Sequence, residues 1–262
     1  MHLPRALGGE AGAVGLLYEM EIDMQIRVNN WMSTIKKPIF TPIGVYLLSI
    51  ILPAITLGLP FLLFNWTSDY LNAHLYIIGT LGQLLMDLPA VILFSRLHII
   101  PENSGQNKTR DRIISIIAGI GCAMLLAAVR ILAIGHLMGS RFMGGVPAFT
   151  QSLDLGSPWN IISAGVALLA YGPGEALFVV YLILAFDKVV GGSHKIISWG
   201  VIITSILWAL PHFFNIIFFG LSAVINVLIM LFIGIIMGVL LKKTRSSLGP
   251  IIFWTLANGT SI

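Results

Sequence analysis

Charge is scarce in this chain: Lys, Arg, Asp and Glu make up 10% of its 262 residues, against roughly 25% in an ordinary soluble domain. With 57% hydrophobic residues and a mean hydropathy of +0.93, too little polar surface is left to coat a water-soluble globule. Cysteine is scarcer still. Cys122 stands alone inside an apolar run, which excludes an intrachain disulfide and a cysteine-based metal cluster and marks it as a small core residue. No charged-then-apolar segment with a small-residue cleavage site opens the chain, so no removed signal peptide is expected. Repeat periods and low-complexity tracts are missing as well. The net charge of +4 and pI near 9.3 would suit a nucleic-acid partner, but the basic residues are not gathered on one aromatic-rich stretch, and nucleic acid is excluded as a partner.

What the chain has instead is length of apolar run. Runs occupy about 39–64, 75–95, 113–139, 160–186, 196–219, 221–241 and 248–262, and a helix needs roughly 20 residues to cross a bilayer. The fifth and sixth are separated near Gly220 and Ser222, because their combined length exceeds twice the hydrocarbon thickness. The expected fold is therefore all-α, a multi-pass transmembrane bundle of about seven spans.

Lys and Arg fall in alternate connections. The N-terminal segment carries Arg5, Arg27, Lys36 and Lys37, the next such loop Arg96, Lys108, Arg110 and Arg112, and later ones Lys188 and Lys195, then Lys242, Lys243 and Arg245. The intervening loops carry only Arg141. This positive-inside bias places the N-terminus in the cytoplasm and accounts for the basic pI. A cell-membrane location follows as an expectation.

Residues 1–37 form a cytoplasmic N-terminal segment and 38–262 the transmembrane domain. Within the segment, Leu17, Met20, Met24, Val28, Trp31 and Ile35 recur at helical spacing and predict an amphipathic helix lying on the membrane surface. Gly8, Gly9, Gly12 and Gly15 leave open an unstructured leader. The loop from about 140 to 159 is the longest external connection, either a plain connector or a cap over a cavity.

Ionisable residues inside a membrane mark functional sites by default, because their insertion is costly. Here they are Asp87, Arg130, His136, Glu175 and His212. Counted from the cytoplasmic ends of their spans, Glu175, His212 and Asn258 lie roughly 18, 24 and 15 Å deep, close enough in depth to meet. Arg130 lies roughly 26 Å deep, within reach of Glu175, whereas Asp87 lies nearer the cytoplasmic face at roughly 12 Å and His136 is interfacial. Gly172, Pro173 and Gly174 precede Glu175, and Pro173 predicts a break or kink, which leaves open a new half-helix beginning there. Its amino end would favour a carboxylate. Ser205, Trp208, His212 and Asn215 share one face of the fifth span, where Pro211 frees the Leu207 carbonyl. Trp254 and Asn258 share a face of the last.

The order of these pieces resembles a known family. Glu-Ala-Leu-Phe-Val-Val-Tyr-Leu from Glu175, Trp-Ala-Leu-Pro-His-Phe-Phe-Asn from Trp208 and Ser-Leu-Gly-Pro-Ile-Ile-Phe-Trp-Thr-Leu-Ala-Asn from Ser247 are similar to the EExxxR, FxxxH and HxxxN motifs of the CAAX prenyl protease and bacteriocin-processing (CPBP) family. The resemblance covers about residues 160–262. It implies an intramembrane glutamate protease in which Glu175 is the water-activating base, His212 the histidine of the second motif and Asn258 an oxyanion donor. Ala176 and Val180 replace the second Glu and the Arg, Trp208 mildly replaces Phe, and Trp254 replaces the third-motif His.

Loss of the Glu and Arg together exchanges an ion pair for packing, which can be energetically neutral. An indole N–H donates a hydrogen bond but takes no proton, so Trp254 either stabilises an oxyanion beside Asn258 or fills the cavity. The leading reading is a CPBP-type endopeptidase with catalytic residues Glu175, His212 and Asn258, no cofactor and no metal, acting on a peptide or lipidated-protein substrate within the bilayer. The alternatives are a catalytically silent scaffold or immunity protein using the same cavity, and a small proton-coupled transporter with Glu175 and His212 as its relay.

Overall fold

The computed structural model describes residues 41–56, 80–92, 108–129, 132, 159–192, 195–215 and 222–259. The expected interfacial helix, Arg130, His136 and the loop before residue 159 lie outside the described residues. So does the split near Gly220, between a helix ending at Asn215 and one beginning at Ser222.

Every described element is helical. In chain order they are α1 (Thr41–Thr56), α2 (Thr80–Ile92), α3 (Lys108–Val129), α4 (Trp159–Leu169), α5 (Glu175–Val190), α6 (Trp199–Ala209), α7 (Ser222–Thr244) and α8 (Leu248–Trp254). A π turn, Ala170–Gly174, joins α4 to α5; a 3-10 turn, Leu210–Asn215, continues α6; a second π turn, Thr255–Gly259, continues α8. The stretches Thr109–Val129, Ala164–Val190 and Val224–Thr244 are long and apolar enough to cross a membrane, and four shorter apolar helices accompany them. These seven apolar segments coincide in order with the seven runs of the sequence.

The middle of the bundle is α5. Its residues Val179, Val180, Tyr181, Leu182 and Ile183 are all fully buried, the mark of a helix that is apolar all round and surrounded by others. By contrast α3 leaves Ile117, Met124 and Leu125 more than 60% exposed, apolar surface that suits lipid. Tight crossings need small residues where hydrocarbon surrounds the bundle. A Cβ on Gly234 would meet Ser205 Oγ at 2.8 Å, and one on Gly119 would meet the Gly249 carbonyl at 2.6 Å, so α7 packs directly on α6 and α3 on α8.

Polar side chains pin the helix ends. Asp187 near the end of α5 accepts from the Gly200 amide at 3.0 Å and pairs with Lys242 near the end of α7. Ser115 of α3 lies 3.0 Å from Thr244 and accepts from the Gly249 amide at 2.7 Å. Ser198 caps α6 by accepting from the Val201 amide, and Gly191, at φ 84°, ends α5. The starts of α3, α6 and α8 therefore share one side of the bundle with the ends of α5 and α7. That is the side on which the basic loops were expected to lie together.

Candidate functional site

Pro173 has no amide hydrogen to give the helix, and its ring crowds the carbonyl four residues back. Of the expected break or kink, the structure shows a disturbed but unbroken helix. A π turn widens the helix by one residue, and the Glu175 amide bonds Ala170 O and Gly172 O, so the chain runs through from α4 to α5 without a new helix start. The free amides that a half-helix would have turned on Glu175 are consequently absent from this turn.

Side chains supply the donors instead. Glu175 is buried, 6% exposed. Trp208 Nε1 donates to Oε1 at 2.9 Å, Trp254 Nε1 to Oε2 at 2.8 Å and Asn258 Nδ2 to Oε2 at 3.0 Å. The two indoles meet edge to face, with ring centroids 5.1 Å apart, which fixes both N–H groups against the carboxylate. A carboxylate has about four accepting positions. The two on Oε2 are filled, and among the described residues no second donor reaches Oε1.

The facing π turns bring these groups together. Asn258, on the turn that follows α8, gives its Nδ2 also to the Tyr171 carbonyl at 3.0 Å, so both amide hydrogens are engaged. A Cβ on Gly172 would stand 3.1 Å from Thr255; glycine there lets the turns touch. Such turns recur at functional sites because they re-aim side chains without ending the helix.

His212 lies on the 3-10 turn after α6, with Nδ1 3.2 Å from the Trp208 carbonyl. A carbonyl only accepts, so in the neutral ring Nδ1 carries the hydrogen and Nε2 is the acceptor. The carbonyl of Leu207, left without its helical partner by Pro211, accepts from Tyr46 Oη at 2.7 Å. The proline break in α6 is thus sealed by α1.

Two adjoining cavities flank the carboxylate. The larger, about 270 Å³, lies among α1, α2, α5 and α6 with Tyr46, Met86, Phe178 and Pro211 in its wall. The smaller, about 80 Å³, reaches Tyr171, Trp254 and Asn258. Glu175, His212 and Gln83 line both. Among the described residues, no group of three or more His, Cys, Asp or Glu side chains is placed to hold a metal ion.

The structure brings Glu175 and Asn258 into a direct hydrogen bond and sets His212 in the same cavity walls, joined to Glu175 through Trp208. It also gives three further residues a place at the site. Trp208, taken as a mild replacement, holds Glu175. Trp254 gives its single N–H to the carboxylate and has none left for an oxyanion. Asp87, expected nearer the cytoplasmic face, sits 2% exposed beside the turn that carries Glu175: a Cβ on Gly174 would stand 2.8 Å from Asp87 Oδ2. The glycines on either side of Pro173 were the available signal, since each admits a close neighbour.

The chain matches no curated protein and no solved structure. Residues 157–260 match a family described as type II CAAX prenyl endopeptidase, Rce1-like. That segment holds the three motif-like stretches and, among the described residues, the side chains that donate to Glu175. Over that segment this integral membrane chain is similar to the CAAX prenyl protease and bacteriocin-processing family.

Proposed function

We propose that the protein is an intramembrane endopeptidase in which Glu175 activates water for attack on a peptide bond. The observation that carries this reading is the accepting position on Glu175 Oε1 that no donor among the described residues fills, in the wall of two cavities that His212 also lines. A water bound there gives a proton to Oε1 as its oxygen adds to the substrate carbonyl. His212 Nε2, an acceptor in the neutral ring, orients the same water. Asn258 first holds the carboxylate; as Glu175 takes up the proton its pull on the Asn258 N–H weakens, and that donor turns to the oxyanion.

The substrate is a peptide or lipidated protein that enters from the bilayer, and the cavity's apolar wall suits such an occupant. The N-terminus and the loops at about 96–112, 188–195 and 242–247 face the cytoplasm, residues 1–37 form the cytoplasmic segment, and the cell membrane is the site of action. Comparing cleavage of an internally quenched prenylated peptide by the wild-type and Glu175→Gln chains tests the proposal. Loss of cleavage in the variant is expected, and equal rates would remove Glu175 from the mechanism.

One observation favours a second reading. Oε2 accepts two bonds and Oε1 one, a bonding pattern that also fits a structural anchor. In a silent scaffold the peptide binds in the cavity and leaves uncut.

A further inference from the structure

The family likeness begins only after α2, at residue 157, yet α2 reaches the same site. Gln83 lines both cavities with Glu175 and His212. Its Nε2 lies 3.1 and 3.3 Å from the two oxygens of Asp87, one helical turn on. Asp87 in turn is packed against Gly174, the residue next to Glu175. A carboxylate accepts, so it draws the amide's Nε2 inward and turns Oε1 outward. Among the described residues no donor reaches Gln83 Oε1.

A peptide bound in a membrane cavity brings backbone N–H groups, and each left unpaired there is costly. Around Glu175 both indole N–H groups and both Asn258 hydrogens are already engaged, and the acceptors Glu175 Oε1 and His212 Nε2 are taken by the attacking water. The free acceptor on the α2 side is Gln83 Oε1. We infer that Gln83 is a substrate-binding residue that accepts a hydrogen bond from the backbone N–H of a bound peptide, and that Asp87 is a positioning residue that sets the Gln83 amide for it. This rests on the proposal that a peptide occupies the cavity. It adds to the site a pair outside residues 157–260.

The test uses the full chain in bilayer nanodiscs and an internally quenched, farnesylated peptide ending in a CAAX sequence. Both the KM for cleavage and the Kd of a labelled copy are measured. Gln83→Met keeps an unbranched chain of similar length without the acceptor, and should raise KM or Kd by about tenfold, the scale of one hydrogen bond, with kcat changed less than about twofold. Asp87→Asn should act in the same direction and add nothing on top of Gln83→Met, because Asp87 works through Gln83. Should Asp87→Asn fail to fold against Gly174, Gln83→Met carries the test alone. Unchanged KM and Kd in Gln83→Met, or a fall confined to kcat, overturns the inference and leaves the protease reading standing. Binding without cleavage that weakens in Gln83→Met supports the inference and removes the protease reading. A wild-type chain that neither binds nor cleaves the peptide overturns both.

Discussion

Trp254 Nε1 lies 2.8 Å from Glu175 Oε2, and both residues are almost wholly buried. The third-motif histidine of the family is thereby replaced by a group that can only donate, and what it donates to is the expected base. With Trp208 on the other oxygen, the carboxylate is held between two indoles whose rings brace each other. The chain's two aromatic departures from the motif pattern are one device.

That device alters what the usual isosteric control does. Glu175→Gln has one oxygen to offer; if Trp254 and Asn258 keep it, the new NH2 faces the Trp208 N–H. The variant should lose roughly 1–3 kcal/mol of stability through the unpaired donor. Trp208→Phe removes that donor, so it should destabilise the wild type but recover stability in the Glu175→Gln background. Unfolding of the four proteins in detergent measures the cycle, and simple additivity of the two changes would show that Trp208 does not bear on Glu175.

His212→Ala should lower turnover by about 10²-fold, the scale of a positioned acid–base group, while the KM changes little. The bond from Nδ1 to the Trp208 carbonyl sets the tautomer rather than holding the substrate. A variant in which KM rises and kcat stands would recast His212 as a binding residue.

The course of the spans was legible because apolar length is a strong signal and each helix carries its own. Seven runs became seven helical segments in the same order. The site was legible as a set of depths, which brought Glu175 and Asn258 together correctly. Depth along a helix says nothing of direction around it, so Asp87 was set apart although it borders Gly174. The proline rule foresaw a disturbed helix at Pro173, but not that a π turn would absorb the missing bond. Trp208 was placed on one face with His212 but read only as a mild replacement of Phe, because its indole N–H matters only once a carboxylate 33 residues earlier is known to face it.

Topology is open to direct chemical test. In a Cys122→Ala background, a membrane-impermeant thiol reagent added outside intact cells should modify a cysteine at position 70 and spare one at position 108. The opposite pattern would invert the orientation derived from the loop charges.

The central claim is that Glu175, held by three donors, still activates a water. Wild-type protein in bilayer nanodiscs should release fluorescence from an internally quenched prenylated peptide, and the Glu175→Gln/Trp208→Phe double variant, chosen to keep the fold, should release none. Peptide that binds the wild type and stays intact, or equal cleavage by the double variant, would contradict it.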